Sequence, residues 1–134
     1  MKAQHPESEQ AGVPTKAEMD VLQVLWDCGP STVRFVNDTL NAQKKAVQYT
    51  STLKQMQVMV EKGMLLRDES SMKHIYTAAI EEQSTKGLML DKFVDTLYKG
   101  SPSNLVMQLL GNKKTSQAEL DAIRALLDQH KNEL

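Results

Sequence analysis

The stretch from Val47 to Thr77 constrains this chain most, because it reads as a helix with a polar start, a glycine stop and two short strands about a polar turn. Gln48, Tyr49, Thr50, Ser51 and Lys54 crowd the start of that helix, and Leu53, Met56, Met59 and Val60 recur behind them at helical spacing. Gly63 stands where a left-handed residue ends a helix at least cost. Met64-Leu65-Leu66 then reads as a strand and Asp68-Glu69-Ser70-Ser71 as a turn. Lys73 to Thr77 is the returning strand, with Ile75 apolar between His74 and Tyr76. A helix that buries one face, presents hydrogen-bonding side chains at its start and is backed by a hairpin predicts a winged helix-turn-helix.

The preceding residues supply the two helices such an arrangement needs. Thr15 is a good N-cap, and Glu18 three residues later completes a capping-box signature. Met19, Leu22, Leu25 and Trp26 follow as a core-facing stripe that ends at Asp27-Cys28-Gly29-Pro30. Ser31 or Thr32 caps a second helix, with Val33, Val36 and Leu40 on one face and a turn over Asn41 to Ala46. Residues 1–13 are polar and aperiodic, which predicts a disordered tail. With only 4% aromatic residues and eight methionines, the core is expected to be aliphatic and filled by Met.

Beyond Ala79 the pattern becomes wholly helical. Leu88, Leu90, Phe93, Val94, Leu97 and Tyr98 mark one helix that stops at Lys99-Gly100. Ser101-Pro102 opens the next, with Leu105, Val106, Leu109 and Leu110 on its apolar side. Ser116 and Glu119 cap a last helix carrying Leu120, Ile123, Leu126 and Leu127. Three short helices of this kind cannot bury their apolar faces alone, and a second copy of the same segment is the economical partner. Leu90, Phe93, Val94, Leu97, Leu105, Val106, Leu109, Leu110, Leu120, Ile123 and Leu127 are therefore the expected dimer contacts. The expected organisation is mainly α with a small β-hairpin: a tail over 1–13, a winged-helix DNA-binding domain over 14–80 and a helical dimerisation region over 81–134.

Charge agrees through its distribution. The net charge is −1, yet Gln43 to Lys62 holds Lys44, Lys45, Lys54 and Lys62 against Glu61 alone. In helix-turn-helix docking, the start of the third helix enters the major groove. Gln48 and Gln55 have the amide geometry to pair with adenine, while Tyr49, Thr50, Ser51 and Lys54 reach bases or phosphates. The competing reading for Thr50 or Ser51 is a helix cap. Lys44 and Lys45 in the turn, with Arg67, Lys73 and His74 about the wing, are candidates for phosphate contacts. A winged-helix module that meets an acidic protein instead of DNA is the alternative.

Other chemistry has little support. Cys28 is the single cysteine, so no disulfide and no Cys-rich metal site forms within one chain. His5, His74 and His130 are scattered, and there is no HExxH, no phosphate-cradling glycine loop and no nucleophile–base pairing. The expectation is a non-enzyme without cofactors. No apolar run has the length of a membrane span, and the start lacks a signal peptide's apolar core, so the cytoplasm is the expected location.

These motifs, in this order and spacing, resemble the penicillinase-repressor family, the BlaI/MecI/CopY group of bacterial transcriptional repressors. The resemblance runs from Pro14 to His130. It rests on Pro14-Thr15-Lys16-Ala17-Glu18 leading to Leu25-Trp26, on Tyr49-Thr50-Ser51-Thr52-Leu53, and on Glu61-Lys62-Gly63-Met64-Leu65. It continues through Ile75-Tyr76, Leu97 to Pro102 with Leu105-Val106, and Ser116 to Leu127. It implies a homodimer that binds a palindromic operator and blocks transcription. In antibiotic-responsive members a membrane sensor metalloprotease, or a protease it activates, leads to cleavage within the dimerisation region at an Asn-Phe bond. The matching pair here is Gln108-Leu109, a departure from that bond. The copper-responsive branch has a C-terminal cysteine cluster, which this chain lacks, and that argues against copper sensing by that route.

Overall fold

A computed structural model describes residues 13–43, 46–111 and 114–133. The elements are α1 (Lys16–Cys28), α2 (Val33–Ala42), α3 (Tyr49–Glu61), β1 (Leu65–Asp68), β2 (Ile75–Ala78), α4 (Glu82–Tyr98), α5 (Pro102–Leu110) and α6 (Gln117–Glu133). The expected tail, except Val13, and Lys44 and Lys45 lie outside the described residues. The chain divides into two compact units, Met1–Met89 and Leu90–Leu134, with the division inside α4.

The first unit is a winged helix-turn-helix. Thr15 starts α1 by a reciprocal cap: its Oγ1 accepts from Glu18 N at 3.2 Å, and Glu18 Oε1 accepts from Thr15 N at 2.9 Å. Gly29, at φ 83°, turns the chain out of α1 in a conformation that disfavours a side chain. Thr32 caps α2 by accepting from Phe35 N. The core gathers Val21, Leu22, Val24 and Leu25 from α1, Val33, Val36 and Leu40 from α2, and Met56 and Met59 from α3. Met64, Leu65 and Tyr76 close it from the hairpin side, while Met19, Trp26, Leu53 and Val60 pack on its margin.

The hairpin pairs Leu65 with Ala78, Arg67 with Tyr76 and Asp68 with Ile75. A backbone bridge adds Ser31 alongside: Ser31 N donates to Tyr76 O at 3.0 Å and Tyr76 N donates to Ser31 O at 2.8 Å. Strand side chains alternate, and this register turns Tyr76, not its neighbour Ile75, into the core.

In the second unit, Ser101 Oγ accepts from Asn104 N ahead of Pro102, and Ser116 and Glu119 make a second reciprocal cap. α4 itself begins at Glu82, ahead of the first apolar position of its pattern, Leu88. Among the described residues from Leu90 onward, Val94 is the one buried apolar side chain; Leu90, Phe93, Leu97, Val106, Leu109, Leu110, Leu126 and Leu127 are exposed. Phe93 and Tyr98 stack obliquely, with ring centroids 6.0 Å apart.

Candidate nucleic-acid interface

α3 separates its faces cleanly. Thr52, Met56 and Met59 are buried, and Thr50, Ser51, Lys54, Gln57 and Glu61 are exposed. The exposed set repeats at 50, 54, 57 and 61, a single stripe by helical geometry. Gln57 thus shares a face with Thr50 and Lys54, while Gln55, singled out in the sequence, is half-buried and lines a concavity with Thr50, Ser51 and Lys54 that also takes in Thr15 and Glu18. The apolar periodicity carried the signal for Gln57, since it lies opposite Met59 and Met56. Gln48 occupies the N-cap position with no side-chain cap bond, which places Thr50 and Ser51 inside the first turn and not at the cap.

The turn before α3 is pinned by two asparagines that the sequence reading passed over. Asn37 Nδ2 donates to Val47 O at 3.0 Å and to Thr52 Oγ1 at 2.8 Å. Asn41 Oδ1 accepts from Val47 N at 2.8 Å, and its Nδ2 donates to Asn37 Oδ1 at 3.3 Å. Ala46 beside them takes a left-handed φ of 54°, so the turn is held in a geometry that costs a non-glycine residue. An asparagine on the buried face of a helix otherwise lined by Val33, Val36 and Leu40 was the available signal.

Two of the cations are committed within the fold. Lys62 Nζ lies 2.6 Å from the buried carboxylate of Glu18, linking the end of α3 to the start of α1. Arg67 Nε lies 2.6 Å from Glu69 in the wing. Bonding to the Tyr76 phenol first, and to Glu69 second, holds the Arg67 guanidinium more firmly protonated than usual. Asp68 accepts from Ser70 N, and bonds to Ser70 keep its carboxyl below the ordinary range.

Lys73 and His74 are exposed and face a cleft of about 430 Å³ together with Thr32, Arg34, Tyr49 and Tyr76. Arg34, absent from the sequence candidates, lies over the Tyr49 ring with Cζ 4.1 Å from its centroid. The arrangement therefore brings the start of α3, the start of α2 and the wing's Lys73 and His74 together, while Gln55 lines a separate concavity with Thr50, Ser51 and Lys54. Of the expected dimer contacts, Leu105, Leu120 and Ile123 are half-buried, and Val94 is buried within the chain. Gln108 and Leu109 are exposed in the last turn of α5.

The sequence profile described as "Penicillinase repressor" matches residues 14–129. The penicillinase repressor of Bacillus licheniformis is 25% identical over 117 residues, covering 87% of this chain and 90% of that protein. The methicillin resistance regulatory protein MecI of Staphylococcus aureus (strain N315) is 22% identical over 119 residues, covering 86% of this chain and 93% of that protein. The protein of the same name from Staphylococcus epidermidis matches to the same extent, at 22%.

Proposed function

The chain belongs to the penicillinase repressor family of DNA-binding transcription regulators, and from that premise we propose that it represses transcription by binding a palindromic operator as a homodimer. The observation that carries this reading is the α3 stripe of Thr50, Lys54 and Gln57, with Ser51 exposed beside it, opposite a buried face and flanked by a wing with Lys73 and His74. Such a helix start fits the major groove, with base edges read by the amide and hydroxyl groups and the backbone held by the cations. The exposed aliphatic side chains of α4 to α6 support a partner copy, because burying them removes much apolar surface from water.

Release from DNA follows from a cut at Gln108-Leu109. The resemblance implies this pair as the counterpart of the family's scissile bond, and the pair stands in the last turn of α5, where the fewest helical hydrogen bonds oppose local opening. A membrane sensor metalloprotease, or a protease it activates, is the agent in this reading. No helix among the described residues is long and apolar enough to cross a membrane.

The test is a gel-shift titration against the DNA upstream of the protein's own gene, with scrambled competitor, at two salt concentrations. A dimer that neutralises roughly 6–8 phosphates gives a slope of log K against log salt of about −5 to −7. Absence of a selective shift there, and in selection from random DNA, would favour the winged-helix protein-interaction module.

A further inference from the structure

A smaller hollow, of about 190 Å³, opens where α1, the end of α2 and the start of α3 meet. Val21 and Leu40, both buried, form its inner wall with Val47 beside them, and Ser51 and Gln55 of α3 stand at its side. The lining is mainly carbon, and an apolar cavity of about 150 Å³ already takes a benzene ring. Among the described residues Asp20 is the one charged side chain that lines it. Lys16 reaches that carboxylate at 3.5 Å from a position 83% exposed, a pairing that contributes little and yields to a better-placed cation. The hollow thus offers room for one ring and a single anionic anchor.

We propose that this hollow binds a small aromatic amine, with the ring against Val21, Leu40 and Val47 and the ammonium on the Asp20 carboxylate. Size selects the ring: a larger molecule leaves most of its apolar surface in water, and a bare cation leaves the carbon walls uncovered. Charge selects the amine, since an anion meets Asp20 with like sign and a neutral alcohol forgoes the charge-assisted bond. The site also touches the network that sets α3. Asn37 Nδ2 donates to Val47 O and to Thr52 Oγ1, and Val47 and Thr52 both line the hollow. Filling it alters the packing under the start of α3, which makes it an effector site for operator binding; that role alone rests on the DNA-binding reading above.

The experiment titrates the full chain with benzylamine at pH 7 and follows backbone amide resonances by NMR. Saturable shifts centred on Val21, Val47 and Thr52 are expected, with a Kd of about 0.1–1 mM for so small a ligand. Benzyl alcohol, of the same shape without the charge, binds about 10-fold more weakly, and benzoate gives no shift there. Asp20→Asn weakens benzylamine by the same factor and leaves benzyl alcohol unchanged, a cycle that assigns the ion pair. Ala17→Leu, at the exposed rim, abolishes binding of both while Tm stays at the wild-type value. Saturating benzylamine changes the operator Kd by about 5-fold or more relative to methylammonium at equal ionic strength, and Asp20→Asn blunts that response.

Shifts scattered over the surface, equal affinity for benzylamine and benzyl alcohol, or undiminished binding in Ala17→Leu would each overturn the amine site. An unchanged operator Kd at saturation would overturn the effector role. If the chain binds no DNA selectively, the repressor reading and the effector role fail together, whereas the amide shifts decide the site by themselves.

Discussion

Asn37 Nδ2 lies 2.8 Å from Thr52 Oγ1, joining the buried face of α2 to the buried face of α3. The same amide reaches Val47 O, so one side chain fixes both the turn and the helix that follows it. Asn37→Ala leaves a buried hydroxyl and a carbonyl short of a donor, at about 1–3 kcal/mol. In a domain of this size each kcal/mol lowers Tm by about 4–8 °C. Thr52→Val costs less, because the amide keeps Val47 O. Thermal unfolding of the two variants checks the order, and an unshifted Asn37→Ala would remove the network from the stability account.

Glu18 and Lys62 make a second long-range tie. The carboxylate is buried while the ammonium is 39% exposed, so removing the cation strands the anion. Lys62→Met is expected to destabilise by about 1–3 kcal/mol, in the range of hydrogen bonds to charged groups. Lys16 and Asp20 pair at 3.5 Å with the lysine 83% exposed, and Lys16→Met should change stability by less than about 0.5 kcal/mol. Urea melts of both variants decide it; equal effects would mean the burial of Glu18 is immaterial.

Acid should loosen the junction of α1 and α4. The bond from Lys86, and secondarily that from Gln23, keeps the Glu82 carboxyl below the ordinary range. A depressed carboxylate contributes stability above its unfolded-state value, and the contribution is lost as pH falls through the folded value. The window therefore lies below about pH 4.3, the ordinary glutamate value. Trp26, the only tryptophan, reports on it: its Nε1 donates to Ile80 O at 3.0 Å and Lys86 Nζ sits 5.8 Å from its ring. Its emission should titrate in that window in the wild type and lose that step in Glu82→Gln. Superimposable curves would rule the cluster out.

On α3, Lys54 and Gln57 should separate affinity from selectivity. Lys54→Ala weakens operator binding with the solution mass unchanged. Gln57→Ala relaxes preference at one base pair per half-site by about 1–3 kcal/mol, the range for a bidentate amide contact. Selection from a randomised operator pool provides the comparison, and an unaltered consensus for Gln57→Ala would confine base reading to the first turn.

Leu97→Asp tests assembly, since Leu97 is 59% exposed on α4 and Leu90 and Phe93 are exposed on the same helix. A charge placed within an apolar contact stays unpaired, so the variant should sediment with a lower mass than the wild type at the same concentration. An unchanged mass would move the interface away from this face.

Local chemistry was legible in the sequence. Thr15 with Glu18, Ser101 with Pro102, and Ser116 with Glu119 act within one helical turn, and each cap stands where those residues demanded it. The helix order and the hairpin followed from the change of apolar period, and the exposure of Thr50, Ser51 and Lys54 followed from the stripe behind them. What stayed hidden depends on partners distant in the chain. Lys62 counted as free basic charge until folding set it against Glu18, 44 positions away. Arg34 had no marker of its own, because its ring partner Tyr49 belongs to the next helix. Tyr76 displaced Ile75 from the core because Ser31, remote in sequence, fixes the backbone of β2.

That Ser31 bridge also bears on self-association. Two four-residue strands leave unpaired N–H and C=O groups along their outer sides, and such groups template pairing with strands of other molecules. Ser31 occupies both backbone groups of Tyr76, in the interior of β2, and interrupts the row that an incoming strand would have to match. On β1 the outward charges of Arg67 and Asp68 oppose a flat approach. The outer edge of β2 is thus blocked against strand addition by backbone that also joins α1 to α2.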